Sequence, residues 1–143
     1  MPPAIRLRAV CLFSRADRVL VSFAVDPATG ERFARLIGGA IEVGERAVDA
    51  VRREIREELG AGMAHERLLG VVENIFRAGG ELHHEVLFVF DGRFADDSLY
   101  ARSGLVVNEA GVDGPAMWMT IETLRTGPVR LYPVEALDLI GDR

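Results

Sequence analysis

Three glutamates spaced i, i+3 and i+4, Glu54, Glu57 and Glu58, are the side chains here best placed to act together. On a helix, residues at those spacings share a face. Carboxylates gathered on one face repel one another unless a cation lies between them. Clustered carboxylate oxygens suit a hard divalent ion, Mg²⁺ above all. Arg53 adjoins Glu57 at the edge of that face. Just upstream, Gly38 and Gly39 permit unusual backbone angles and a close approach of the chain to a ligand or metal. The same pair also suits a tight strand-to-helix turn. A glutamate-rich helix face is more often simply solvated, so the spacing of the whole stretch must decide between the two readings.

That spacing is Gly39, five residues, Glu45, seven residues, Arg53-Glu54-Ile55, one residue, Glu57-Glu58, one residue, Gly60. It resembles the signature box of the Nudix hydrolase family. A chance match at its fixed positions in a chain this size has odds on the order of one in a million. Ile37 stands where many members carry proline, and Ala61 fills a slot usually held by a larger aliphatic. Neither departure removes a carboxylate. The resemblance implies an α/β/α sandwich around a central mixed β-sheet. It implies Mg²⁺-dependent hydrolysis (with Mn²⁺ as an alternative ion) of the pyrophosphate bond in a nucleoside diphosphate linked to another moiety X. The products are a nucleoside monophosphate and phospho-X.

The resemblance also implies roles. Glu54, Glu57 and Glu58 are metal ligands, joined by a backbone carbonyl near Gly39. Glu57 and Glu58 act in catalysis, and Arg53 orients a neighbouring glutamate. Gly38 and Gly39 lie against substrate, and Glu45 ties the loop to the helix. Family members often supply a further carboxylate from outside the box. Glu109, in a glycine-rich loop, and Glu85, in a strand, compete for that part, and Glu109 is favoured as general base. Glu85 shares a strand face with Leu87 and Val89, where a charge is costly unless paired, so it should have a partner. His83 shares a face with Glu85 and is a candidate substrate contact. His83 and His84 point to opposite faces, which argues against a shared zinc. Trp118 and Phe76 are candidates to stack on a base, although a large aromatic in a strand is more often core. Marks of the ADP-ribose, dinucleoside polyphosphate and NADH subgroups are absent, so the substrate within the class stays open. The rival class is a non-catalytic nucleotide-sensing module, against which the complete carboxylate set argues.

These residues need elements to position them. Val48, Val51, Ile55 and Leu59 make one apolar helical stripe, with Glu45 near its start, where a negative charge favours the helix dipole, and Gly60 as its stop. Ile5 to Phe13 alternates as a strand, with Ile5, Leu7, Ala9, Cys11 and Phe13 on one face and Arg6 and Arg8 on the other. Arg18 to Val25 is an interior strand, and Glu31 to Ile37 feeds the paired glycines. Arg67 to Arg77 and Leu82 to Phe90 form a hairpin about Ala78-Gly79-Gly80. Asp91-Gly92 ends that second strand or marks a bulge. Asp96 to Arg102 is a helical turn, Gly104 to Pro115 a surface loop able to move over a substrate, and Ala116 to Ile121 a last strand. Glu122 to Arg125 is another helical turn. Val134 to Ile140 is a short closing helix after Pro133.

The chain has 143 residues, which fit a single domain over 1–143. Its net charge of −5 argues against non-specific nucleic-acid binding, but an acidic site still takes a polyphosphate through a metal. All 17 basic Lys+Arg residues are arginine, which excludes a lysine base or Schiff base. The lone Cys11 suits a reducing cytoplasm. No apolar leader and no membrane-length apolar run is expected. The expected partner is a small-molecule nucleotide or nucleoside diphosphate derivative, with no nucleic acid and no membrane. A homodimer is left open.

Overall fold

The computed structural model describes residues 4–140, so residues 1–3 of the stretch read for an apolar leader lie outside it. Strand β1 (Ile5–Leu12) organises the first sheet. It pairs antiparallel with β5 (Ile37–Ala40) and parallel with β7 (Glu81–Phe94), which pairs antiparallel with β6 (Met63–Ala78). The order is β5-β1-β7-β6, a mixed sheet. A second, antiparallel sheet runs β2 (Ser14–Arg15), β3 (Arg18–Val25), β9 (Ala116–Thr120), β8 (Gly104–Leu105), with β4 (Arg32–Arg35) also on β3.

The period-2 alternation of β1 sends its side chains to two cores. Ala9, Cys11 and the adjoining Phe13 pack with Val51 and Ile55 of helix α1 (Ala47–Leu59). Val10 and Leu12 pack on the opposite side with Leu124 of α2 (Ile121–Thr126). Ala136 and Leu137 of the 3₁₀ segment Val134–Leu139 join them there. Helical elements thus cover both sides of the strands, the α/β/α layering with a mixed sheet that the resemblance implies. Val51 and Ile55 are fully buried, while Val48 and Leu59 pack at the edge of the same core. Each fully buried aliphatic contributes about 1.5–3 kcal/mol of hydrophobic transfer. Gly60 ends α1 at φ 65°, donating to the Arg56 carbonyl, as its stop position predicts. Among the described residues no helix is long and apolar enough to cross a membrane.

Four expectations need correction. The strand expected over Glu31–Ile37 is two strands, β4 in the second sheet and β5 in the first, with Leu36 buried between them. Gly38 and Gly39 therefore lie inside β5 and not in a tight turn. A Cβ on Gly38 would sit 2.1 Å from the Ala9 carbonyl oxygen, so close backbone packing is what demands glycine. The faces assigned to β1 fail in its first half: Ile5 and Leu7 are exposed and Arg8 is buried. Of the two readings of Asp91-Gly92 the bulge holds: β7 continues to Phe94 against a β6 that extends back to Met63, and the register shifts there, between the Ala64–Arg93 and Arg67–Asp91 pairs. The helix begins after Glu45, with Arg46 as its N-cap, so Glu45 serves α1 through side-chain bonds and not through its first turn.

Candidate active site

The C-terminal half of α1 presents its glutamates in three environments. Glu57 is the exposed one, Glu54 lies partly buried, and Glu58 is 4% exposed, on the side that faces the core. The helix wheel placed these three on one face beside the apolar stripe. Tertiary packing then separates them, because Glu58 is on the inner edge of that face. Among the described residues no three His, Cys, Asp or Glu side chains converge as a ready-made metal cage.

Arg53 occupies the outer side of the set. Its guanidinium donates to Glu45 at 2.9 and 3.0 Å, to Glu54 at 2.9 Å, to Glu57 at 3.2 Å and to the Ala40 carbonyl at 2.9 Å. Glu45 in turn accepts from the Glu42 backbone N–H at 3.1 Å. One cation therefore fastens the end of β5, the following loop and the helix together. The Arg53 hydrogen bonds hold the Glu45 carboxyl below the usual range, and Glu45 foremost raises the Arg53 guanidinium above its own. The Glu54 carboxyl lies against bare backbone at Gly39, where a Cβ would stand 2.5 Å from Glu54 Cδ. Glycine at 39 is thus the space that lets a carboxylate meet the strand.

Glu58 is the electrostatic anomaly. Neither of its oxygens meets a hydrogen-bond donor, although both are buried. Burial first, then contact with the Glu109 carboxyl and the charges of Glu109 and Glu54, push Glu58 up to about 9, opposed only by Arg8. Two carboxyls facing each other either share a proton or enclose a cation.

The sequence placed Glu109 only in a mobile loop. The structure shows how it is held. Leu105 and Val107 are buried at alternate positions, and the Asn108 N–H donates to the Glu58 carbonyl at 2.7 Å. Past Glu109, the Asp113 N–H donates to the Phe23 carbonyl at 2.8 Å, and Arg32 pairs with Asp113 at 2.9 Å. The loop is thus pinned on both sides of the carboxylate. The signal available in sequence was the Leu105-Val107-Glu109 alternation.

Glu85 is buried on the sheet face with Leu87 and Val89, away from α1, and the partner its position demands is Arg8, at 3.7 Å. Arg8 also donates to the Gly38 carbonyl at 3.3 Å. Sequence reasoning missed Arg8, whose signal was a basic residue inside an apolar strand. His83 stacks on Phe76, with ring centroids 5.0 Å apart, and both line a cleft of about 430 Å³ walled by the two sheets. Arg8 and Arg35 line this cleft and also a smaller one of about 110 Å³ that reaches Gly38 and Glu109. His84 turns away to Glu73 at 3.1 Å. Trp118 is 4% exposed beneath Arg15 and beside Tyr100, so it is core and not a surface for a base.

The donor set suits a hard divalent cation. Glu54 and Glu57 offer oxygens now held by a single arginine, and the buried Glu58 carboxyl, with no donor on either oxygen, meets the carboxyl of exposed Glu109.

A family model for the NUDIX domain matches residues 4–137. The chain is similar in structure to a MutT NUDIX hydrolase from Burkholderia pseudomallei, at 25% identity, over 96% of this chain and 98% of that one, with a TM-score of 0.68. It is also similar to a NUDIX hydrolase from Nitrosomonas europaea, at 19% identity, 96% and 88% coverage and TM-score 0.65. A MutT protein from Methanosarcina mazei Go1 aligns at 17% identity, 96% and 94% coverage and TM-score 0.63. These last two likenesses speak for the fold alone. No curated protein matches the chain.

Proposed function

The chain belongs to the NUDIX family, and on that premise we propose that it is a Mg²⁺-dependent pyrophosphohydrolase whose general base is Glu109. Its class is that of the Nudix hydrolases, which cleave nucleoside diphosphates linked to another moiety. The observation that carries the finer reading is the buried Glu58 carboxyl, without a donor and facing Glu109. A carboxyl pair so arranged is stabilised by a cation and is wasteful as mere structure.

Glu54, Glu57 and Glu58, with backbone carbonyl oxygen near Gly39, would hold Mg²⁺ or Mn²⁺. The ion, when bound, neutralises and polarises the oxygens of the substrate pyrophosphate. Arg53 keeps Glu54 and Glu57 oriented and joins the strand end to the helix. Glu109 takes the proton from the attacking water, whose oxygen bonds to phosphorus as the bridging P–O bond breaks. Glu85 acts at one remove, by holding Arg8. His83 is assigned a substrate contact in the larger cleft. The substrate is a small nucleotide or nucleoside diphosphate derivative, handled in the cytoplasm without nucleic acid or membrane.

A panel of nucleoside diphosphate derivatives with Mg²⁺, scored for monophosphate release, tests the reading. Turnover of at least one, abolished by chelation, is expected. Tight binding of one with turnover of none would instead make the protein a sensor.

Mg²⁺ should also stabilise the fold, since the unfolded chain has no preformed site. At a hundred times its Kd the gain is about 2.7 kcal/mol, or about 5–10 °C in Tm for a domain this size. Glu54→Gln should blunt that rise. Gly39→Ala should blunt it too, because the new methyl displaces the Glu54 carboxyl. A wild-type melting curve indifferent to Mg²⁺ would remove the metal from the reading.

A further inference from the structure

The larger cleft is richer in positive charge than the rest of this acidic chain. Arg6, Arg8, Arg35 and Arg77 line it against Asp26, Glu31 and Glu85, in a protein of net charge −5. Two of these arginines stand at a junction, because Arg8 and Arg35 also line the smaller cleft that leads to Gly38 and Glu109. Arg8 comes from the first sheet and Arg35 from the second.

Neither guanidinium is used up by the protein. A guanidinium has five N–H donors in a fixed fork. Arg8 spends its own on one 3.3 Å bond to the Gly38 carbonyl and a 3.7 Å approach to Glu85. Arg35 is half-buried, and its guanidinium has no carboxylate or carbonyl partner among the described residues. Arg53, by contrast, saturates its donors on glutamates and a carbonyl. A half-buried arginine left open beside a second, loosely held one matches the geometry of phosphate oxygens, which bind a guanidinium fork two at a time.

Beyond the junction the cleft is aromatic. Phe76 and His83 stack on one another from the first sheet. Phe33 and Tyr132 meet edge to face at 6.0 Å on the opposite wall's strand and the segment paired with it. Asn74, which both donates and accepts, lies among them. A volume of about 430 Å³ falls in the range of small-molecule sites. In order along the groove come flat rings, an arginine pair, then the Glu109 end.

We propose that Arg35, backed by Arg8, is a phosphate clamp at the junction of the two clefts. It positions the phosphate chain of a nucleotide whose base lies among Phe76, His83, Phe33 and Tyr132. The proposal rests on the pyrophosphohydrolase reading for the direction in which the phosphates run, but it assigns the grip to protein cations and not to the metal. The nucleotide therefore binds before and without Mg²⁺. Arg35 is a positioning residue, since it touches phosphate while the bond that breaks lies toward Glu109.

The test is equilibrium binding by the full chain in a chelator, with the four common nucleoside diphosphates, inorganic pyrophosphate and the four nucleosides as probes. At least one diphosphate is expected to bind. Arg35→Ala should weaken that diphosphate and pyrophosphate by about ten- to a hundredfold, the loss of a charged hydrogen-bond pair, and leave the nucleoside unaffected. Arg35→Lys should restore part of the loss. Phe76→Ala should weaken diphosphate and nucleoside but spare pyrophosphate. With a turned-over substrate, Arg35→Ala should raise KM more than it lowers kcat. Removing a side chain with no hydrogen-bond or ion-pair partner among the described residues leaves the fold intact, which an unchanged melting curve checks. Diphosphate affinity unaltered in a folded Arg35→Ala protein overturns the clamp, as does the absence of any metal-free binding. If wild type hydrolyses a substrate and Arg35→Ala is silent, the clamp alone falls. If nothing is hydrolysed but metal-free binding depends on Arg35, the clamp stands and the hydrolase reading falls.

Discussion

Glu58→Gln is expected to lower kcat by about 10²–10⁴-fold while making the metal-free protein more stable. The two effects have one cause. The amide keeps the shape of the side chain and loses the charge that a metal needs, and it also removes a carboxyl that burial and Glu109 force up to about 9. The sign of the pH dependence follows. The folded value lies above the ordinary 4.5, so the carboxyl costs the fold nothing below about 4.5 and progressively more as pH rises toward 9. Metal-free wild type should lose Tm across that window, and Glu58→Gln should flatten the loss. Near pH 8 the variant should melt several degrees higher, the shift that about 1–2 kcal/mol produces in a domain of this size. Saturating Mg²⁺ should reverse the ranking, because only wild type gains from the ion. A Glu58→Gln protein that turns over at the wild-type rate, or that melts lower without metal, would show that Glu58 is neither ligand nor electrostatic burden.

The second large effect separates Glu109 from Glu85. Glu109→Gln should lower kcat by about 10²–10⁴-fold, as expected for loss of a general base. Its metal-free Tm should rise slightly, since Glu58 loses an opposing carboxyl. The fold should hold, because Leu105, Val107 and the Asn108–Glu58 backbone bond anchor the loop without help from the side chain. Glu85→Gln should behave differently. It leaves buried Arg8 facing a neutral amide, which costs about 1–3 kcal/mol of stability. Turnover should change through KM, since Arg8 lines both clefts. Kinetics with melting curves for both variants decide the matter. If Glu85→Gln abolishes kcat and Glu109→Gln is silent, the roles are reversed.

Much of the site was legible in the sequence because it is local. The i, i+3, i+4 spacing of Glu54, Glu57 and Glu58 and the apolar stripe of Val51 and Ile55 are properties of one helix. Gly60 as its stop is equally local, and the structure shows that helix ending there. Arg53 reaches Glu57 four residues away by the same helical geometry. The resemblance of the box named the family, and the domain match over residues 4–137 agrees with it. Hairpin β6–β7 was likewise visible, since its two runs flank a glycine turn.

What pattern alone could not supply depends on contacts between residues far apart in the chain. Periodicity gave Glu54, Glu57 and Glu58 equal standing, whereas packing of α1 on β1 buries Glu58 and leaves Glu57 in solvent. Alternation put Arg8 on the polar face of β1. That face is covered by the second sheet and the helical elements packed with Val10 and Leu12, so Arg8 is buried and needs Glu85, 77 positions away. Gly38 and Gly39 read as a turn because their sequence neighbours are a strand and a helix. Only the approach of Ala9 to Gly38 and of the Glu54 carboxyl to Gly39 shows that they are strand residues kept bare for space. The sequence by itself determined the carboxylate helix, its arginine and the family they belong to, since spacing along one element needs no partner. The tertiary structure alone decided which carboxylate is buried, that Glu109 faces it, and that Arg8 and Arg35 from different sheets meet at one groove. Those facts arise from burial and charge placement between residues far apart in the chain, which no local pattern encodes.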